Sequence, residues 1–469
     1  QESGMTSQAE AEGPRHATKE NPTVWSVVSL ALPVVLSNAA IPLQSAIDMA
    51  IIGNTGDTTL LAAMALGAAA VILVFSSFNF LQTGIGGTTA QALGAGNHER
   101  VANTMFRGLI IAATVAACLI LLRPVLVWAG LALFEGSAEA EAAAAIYIGI
   151  RLLGAPFELS NYALMGWFVG QGKTRRLFEL QLLVSITNIA MTLLLVLVLD
   201  MGIQGVAIGT VIGHATAFAY AVFRVRQRLR VLLPAGWRPE RRRLLKGDEI
   251  GALLRLNRDI FLRNVMITLS FAWVTRLGSL QGDAVLAANG VLLEFFFVTA
   301  HALDGFAIAA ESLVGRAIGA RSATRLRQAV RVCAIASVAL ALVLSLILSL
   351  LAHDIVALFT DVAEVRALAG SYVYWAACIP LAGVAAFVLD GVYFGAADGR
   401  TLRNTTLLSA ALFLPAGWLA MEVFGNHGLW ASLWGFLLIR AIALGLDYPA
   451  LVTRATASTS APTASPKEA

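Results

Sequence analysis

The sequence predicts an all-α integral membrane protein, with twelve transmembrane helices in two six-helix lobes related by a parallel pseudo-two-fold repeat. Three observations carry this expectation. Of 469 residues, 58% are hydrophobic and 13% charged, where a soluble domain carries about 25% charged. Apolar runs of ~20 residues recur, the length that crosses a bilayer core of ~30 Å. The second half of the chain repeats features of the first. Runs this long exclude an outer-membrane barrel, whose strands need only ~10 alternating residues.

The chain opens on a polar stretch, residues 1–24, that lacks the apolar core of a signal peptide. Its QESG before Met5 reads as the remnant of an expression tag, and the whole stretch is expected to be a disordered cytoplasmic tail. Spans 1 to 6 fall near residues 25–53, 59–83, 103–131, 142–170, 177–199 and 203–223, giving an N-terminal lobe over 25–223. Residues 224–250 begin RVRQRLRVLLPAGWRPERRRLLKGDE, too charged to insert, and form a basic linker. Spans 7 to 12 fall near 251–279, 284–310, 327–352, 368–396, 404–423 and 428–453, giving a C-terminal lobe over 251–453. The low-complexity tail, 454–469, is expected to be disordered.

Loop charge sets orientation. Arg100, Arg107, Lys173, Arg175, Arg176, the linker, then Arg316, Arg321, Arg325, Arg327, Arg331, Arg400 and Arg403 all fall on one side. The alternate loops hold Asp57, Glu135, Glu139, Glu141, Asp200, Asp283, Asp354 and Asp361. Basic loops stay in the cytoplasm. Both termini are therefore expected there, in the inner cell membrane. The net charge of +4 describes an inner membrane face rather than a nucleic-acid partner.

The halves match at an offset of about 225 residues, self-similarity at a fixed period being the mark of a repeat. Gly53 pairs with Gly278, LLAAM (60–64) with VLAAN (285–289), ALGA (92–95) with AIGA (317–320), and MGWFVG (165–170) with DGVYFG (390–395). Near the ends, MGIQG (201–205) matches FGNHG (424–428). Six spans per half insert the same way round. Transporters built so hold substrate between the halves and alternate access by rocking them.

Charges inside such spans are costly, at least ~2.5 kcal/mol near the centre, and usually mark function. Asp48 is the one charge between Val24 and Gly53. Ser37, Ile41, Gln44 and Asp48 share one helical face, beside Pro33 and Pro42, which loosen the backbone. Asp48 would face a cavity and bind and release a proton in competition with a cationic substrate. The competing reading is a carboxylate reaching for the outer interface, which its short stem disfavours. Asn161, Gln181, Thr187, Asn188 and Thr210 could hydrogen-bond Asp48, or each could be an ordinary interhelical contact. Glu158 with Arg151 reads as a local pair, and His214 as structural.

In span 8, Glu294, His301, Asp304 and Glu311 lie within roughly 100° of one face, with Asn289 off that stripe and Phe295 to Phe297 able to stack on a planar cation. The stripe is either a cavity wall or a polar seam neutralised by Arg263 or Arg276. Asp390 in span 10 has the same two readings. Cys118, Cys333 and Cys378 have no metal-ligand or disulfide spacing. No nucleotide-binding motif, catalytic triad or metal cluster stands out, so no enzyme and no cofactor is expected.

The segments LALPVVLSNAAIPLQSAIDMAIIG, GTTAQALGAGN (87–97), LNRDIFLRN (256–264), HALDGFAIAAESLVGRAIGAR (301–321) and LDGVYFGAADGRTLRN (389–404) resemble the multidrug and toxic compound extrusion (MATE) family, specifically its DinF branch. The resemblance covers nearly all of residues 25–450. It implies a V of two lobes around a central cavity and export of amphipathic, usually cationic compounds against H+ or Na+. It also implies that Asp48 is the protonation switch; Gln44, Asn161, Asn188, Asn289, Glu294, Asp304 and Asp390 are the candidate cavity residues that the polar positions themselves suggest. Related proteins add an acid on the fifth helix, where this chain has Asn188 and Thr187. That departure favours H+ over a multi-carboxylate Na+ site, although Asp390 matches the acid used by Na+-coupled relatives. The rival readings are a Na+-coupled exporter, a citrate-like organic-anion exporter, a lipid-linked flippase and a membrane scaffold. A monomer is expected, since two lobes already enclose a cavity.

Overall fold

The computed structural model describes residues 22–54, 57–133, 137–244 and 246–457. The expected tails lie outside these residues apart from 22–24 and 454–457, as does Glu135. The first half comprises α1 (Val24–Gly53), α2 (Thr58–Ser76), α3 (Phe80–Gly94), α4 (His98–Leu121), α5 (Arg123–Leu133), α6 (Ala138–Leu153), α7 (Ala155–Gly170), α8 (Thr174–Leu193, ending in a π turn over Leu194–Val198) and α9 (Gly202–Leu232). A short α10 (Arg241–Leu244) leads to α11 (Gly247–Ser279), α12 (Asp283–Gly319), α13 (Ala323–Leu350), α14 (Ala352–Phe359), α15 (Ala363–Ala377), α16 (Ile379–Gly395) and α17 (Gly399–Ala457).

Local chemistry sets the starts. Thr23 Oγ1 accepts from the Ser26 amide at 3.2 Å, and Ser26 Oγ accepts from the Thr23 amide at 2.9 Å, a reciprocal cap that opens α1. Asp57 accepts from the amides of Thr59 and Leu60 and opens α2. Among the described residues, ten helices are long and apolar enough to cross a membrane, eleven if α6 and α7, bent by 51° at Gly154, form one span. The last of these turns at Gly425 (φ 59°, ψ −140°), a backbone only glycine adopts readily. The expected twelve is reached only if its two arms are counted apart.

Three boundaries differ from expectation. The second span runs through a break at 77–79 and on to Gly94, far past residue 83. The eighth continues to Gly319 rather than 310. Helix α9 extends nine residues into the expected linker because its Arg and Leu residues are good helix formers. The remaining linker is pinned. Arg107 donates to the carbonyls of Leu244 (3.1 Å) and Arg243 (2.7 Å) and pairs with Glu249, while Trp237 stacks on Phe106 at 6.4 Å between centroids.

Each half packs its own core. One apolar cluster gathers residues from Ile51 to Val225 around Trp167 and Phe168, joined at one edge by Leu253, Leu256 and Ile260. Another gathers Val274 to Leu437 around Phe413, Trp430 and Phe436. The halves meet where α3 and α1 pack on α12, with α16 against α3. The approach is backbone to backbone. A Cβ at Gly87 would overlap the Phe394 carbonyl, and one at Gly94 the Arg316 carbonyl, the small-residue contact that lets membrane helices close. All of this lies toward the basic loops. Toward the other end, Ile41 and Leu43 of α1 and Phe297 and Val298 of α12 are exposed.

Candidate functional site

The span-1 stripe is divided by this geometry. Ser37 is buried at the closed end, and the neighbouring Asn38 donates to the His301 carbonyl at 3.1 Å. Farther along, Ile41 is exposed, Gln44 accepts from Ser185 Oγ at 2.9 Å, and Asp48 is 5% exposed. Asp48 Oδ1 has no hydrogen-bond partner among the described residues. Asn188 and Thr192 of α8 are the polar side chains facing its carboxyl, and Arg151 of α6 lies within electrostatic reach.

These neighbours carry donors as well as acceptors. The Asn188 amide donates to Thr210 Oγ1 at 2.8 Å, and Thr210 Oγ1 donates to the Val206 carbonyl at 3.0 Å. Asn188 Oδ1 and Thr192 Oγ1 are themselves buried without partners. The Thr192 hydroxyl and the second Asn188 N–H can donate to the carboxylate, while a proton on Asp48 would give it a donor toward Asn188 Oδ1.

The other first-half carboxylate is differently placed. Glu158 accepts from Arg151 at 3.1 Å and from the Tyr162 hydroxyl at 3.3 Å, with His214 Nε2 at 3.6 Å. The i, i+7 pair expected from the sequence is therefore formed, across the α6–α7 bend. Asn161 donates to the His214 carbonyl at 2.9 Å rather than to Asp48. Gln181 and Thr187 are only partly buried, and neither is among the side chains facing Asp48. Thr192 was not singled out from the sequence; it is one turn beyond Asn188 on the same face, and that periodicity was the available signal.

In the second half, Asp390 is not an open site. Both Arg263 and Arg440 (2.6 Å) donate to its Oδ2, all three side chains being buried. Asp304 lies near the same cluster, within electrostatic reach of His301, Arg263, Asp390 and Arg440. Arg263 is thus the neutralising partner, whereas Arg276 sits at the helix end against Ser279. Arg440 was missed in the sequence, where it is the single charge in SLWGFLLIRAIALGL.

One expected cavity residue is tied up in packing, and another is open. Asn289 exchanges hydrogen bonds with Asn426 at 2.8 Å each way and accepts from Trp430 Nε1 at 2.9 Å, a closed network that pins α12 to α17. Glu294 is exposed. The span-8 stripe therefore changes character along its length. Glu294 and His301 are open, Asp304 is half-buried and Glu311 is 1% exposed, because the halves converge toward the basic loops.

Residues 33–194 and 260–419 match the MatE family. DNA damage-inducible protein F of Escherichia coli is 35% identical over 433 residues, covering 91% of this chain and 92% of its own. The probable multidrug resistance protein NorM of Deinococcus radiodurans is 28% identical over 441 residues, covering 89% and 93%. The crystal structure of the Vibrio cholerae MATE transporter VcmN in the bent form has the same fold, with a TM-score of 0.82 at 21% identity over 92% of this chain and 98% of that one.

Proposed function

The chain belongs to the MATE family of multidrug and toxic compound efflux transporters, and from that premise we propose that it is a proton-coupled exporter of amphipathic cations in which Asp48 is the protonation switch. It is a multi-pass membrane protein; the positive-inside distribution supports an inner-membrane location with both termini in the cytoplasm.

One observation carries the reading: Asp48 is a buried carboxyl with an unpartnered oxygen, facing the uncharged Asn188 and Thr192 with no cation paired to it among the described residues. Two other buried carboxylates have cations on them, Glu158 through Arg151 and Asp390 through Arg263 and Arg440, and Glu311, buried without one, lies toward the basic-loop end of α12. A Na+ ion at Asp390 would have to displace two guanidiniums, and one at Asp48 would find a single carboxylate with Arg151 close by. A proton needs only one oxygen.

The cycle follows from burial. With Asp48 ionised, the first half carries an uncompensated charge that a cationic substrate neutralises. With Asp48 protonated, that attraction disappears and the substrate leaves. Exchange of one for the other couples the two flows, as binding of each lowers affinity for the second by the same factor. The second-half cluster holds two carboxyls against two guanidiniums and supplies no net field for an anion, which disfavours the organic-anion alternative.

The test is a proteoliposome assay without Na+. An imposed pH gradient should drive ethidium movement with the wild type and fail to do so with Asp48→Asn, whose ethidium binding should be weaker and no longer vary with pH. A Na+ requirement, or normal flux in Asp48→Asn, would reject the assignment.

A further inference from the structure

Glu311 is the one carboxyl of the span-8 stripe that the exporter reading leaves unused. It lies eight residues before the end of α12 at Gly319, about 12 Å along the helix, on the side of the basic loops. It is 1% exposed, and its Oε1 has no hydrogen-bond partner among the described residues. The opposing surface is Gly86 of α3, where a Cβ would overlap Oε1, with the Gly166 carbonyl of α7 beside it. The carboxyl is therefore sealed between the two halves, against backbone that offers it no compensating charge.

The surrounding elements are equally poor in counter-ions. Helix α3 contains no titratable residue. On α16, Asp390 is held by Arg263 and Arg440, and Tyr393 donates to Leu444 O and Asp447. On α7, Glu158 is held by Arg151 and Tyr162. Helix α1 carries Asp48, and α13 carries Arg325, Arg327 and Arg331 at its basic-loop end. Near this end α11 carries Arg255, Arg258 and Asp259, and α17 carries Arg400, Arg403, Asp447 and Arg454; Asp259 pairs with Arg258 and Arg403, and Arg454 with Asp398 and Asp447. Helices α14 and α15 pack on the other end of α12 through Val356, Val365 and Ala369. On α12 itself, Asp304 sits two turns away. Arg316 donates its Nε to the Ser312 carbonyl at 3.1 Å and turns its guanidinium toward Gly172 of the other half. None of these groups is within electrostatic reach of Glu311.

An ionised carboxylate sealed dry with no partner costs several kcal/mol. The same group as a neutral acid costs far less. We propose that Glu311 is a second proton-binding site, one that acts as a latch: the seam between the halves closes over the acid and opens over the carboxylate. When α3 and α12 separate, water from the basic face reaches the carboxyl, and its proton leaves to that water. When they close, a proton returns from the same face. The proton is not carried across the membrane, so the latch adds nothing to the transported charge. It makes closure of the basic face favourable in acid on that side and unfavourable in alkali. This inference rests on the alternating-access reading but not on Asp48 being the switch.

The test uses the full-length protein in lipid nanodiscs. Cys118, Cys333 and Cys378 are replaced, and spin labels are placed at the exposed Arg100 and Thr324, on the two sides of the seam. One proton linked to closure shifts the open-to-closed ratio by up to about tenfold per pH unit. The wild type should open as pH rises, Asp48→Asn should keep that response, and Glu311→Gln should stay closed at every pH. If Glu311→Gln responds like the wild type, or if Asp48→Asn alone abolishes the response, the latch is overturned while Asp48 stands. If Glu311→Gln loses the response and Asp48→Asn still transports, the latch stands and the Asp48 assignment falls. Should Glu311→Gln not fold, Glu311→Asp, whose shorter stem withdraws the carboxyl from Gly86, should move the pH midpoint of opening, and an unmoved midpoint overturns the latch.

Discussion

Three buried carboxyls carry three fates. Asp48 faces uncharged polar side chains and holds no guanidinium, Glu158 holds one, and Asp390 holds two. The differences predict different mutants. Asp48→Asn removes a titration and little packing, so coupled flux should fall at least about tenfold while the unfolding midpoint in detergent barely moves, amide and acid being near-isosteric. Asp390→Leu strands Arg263 and Arg440 without a counter-charge, and breaking a buried pair costs about 3–5 kcal/mol. Arg440→Leu leaves Arg263 on Asp390 and should cost less. Denaturant titration of the two variants checks the order; equal losses would mean that the cluster is wet. Asp48 was legible because it interrupts an apolar run alone. The Asp390 cluster was only half legible, because its partners lie 127 and 50 residues away and one Arg in an apolar span looks like noise until its partner is seen.

At the scale of the helix, α3 sets how closely the halves approach. Its sequence, FLQTGIGGTTAQALG, has a weak helical periodicity because it is packed on several sides, by α7, α12, α4 and α16. This is why an apolar-window reading ended the second span too early. The glycines that make it a poor span make it a good seam. Gly87→Leu would drive a side chain into the Phe394 carbonyl, and overpacking costs about 1–3 kcal/mol. That cost is felt only when the seam is shut. The variant should therefore fold, bind substrate, and show the Arg100–Thr324 label pair shifted to longer separation, with transport lost. A normal closed distance would show that the halves do not meet along α3. The strap after α9 makes an independent prediction. Arg107→Ala removes three contacts to residues 243–249, and trypsin should then cut near Arg241 several-fold faster than in wild type.

For the molecule as a whole, the halves converge through close helix contacts toward the basic face. The lobe boundary was visible in the charge of residues 224–250, and the paired termini of the spans in the alternating loops. The direction in which the V opens was not, because it depends on which turns of α1, α3 and α12 touch. Those contacts run from Ala31 and Val35 against Gly305, through Gly86 against Glu311, to Gln91 and the Ala95 amide against Gly319. A molecule that exports by rocking must break all of them once per cycle. They are small-residue contacts worth little individually, so a modest bias at one point can decide the state of the whole seam. Joining its end should arrest the cycle without touching either carboxyl. Ala95→Cys with Ala320→Cys, linked by a short reducible thiol cross-linker, should stop ethidium flux by at least about tenfold. Binding from the open face should remain, and reduction should restore transport. Flux that continues through the cross-link would mean that substrate crosses without parting the seam, and rocking of the two halves would no longer describe this protein.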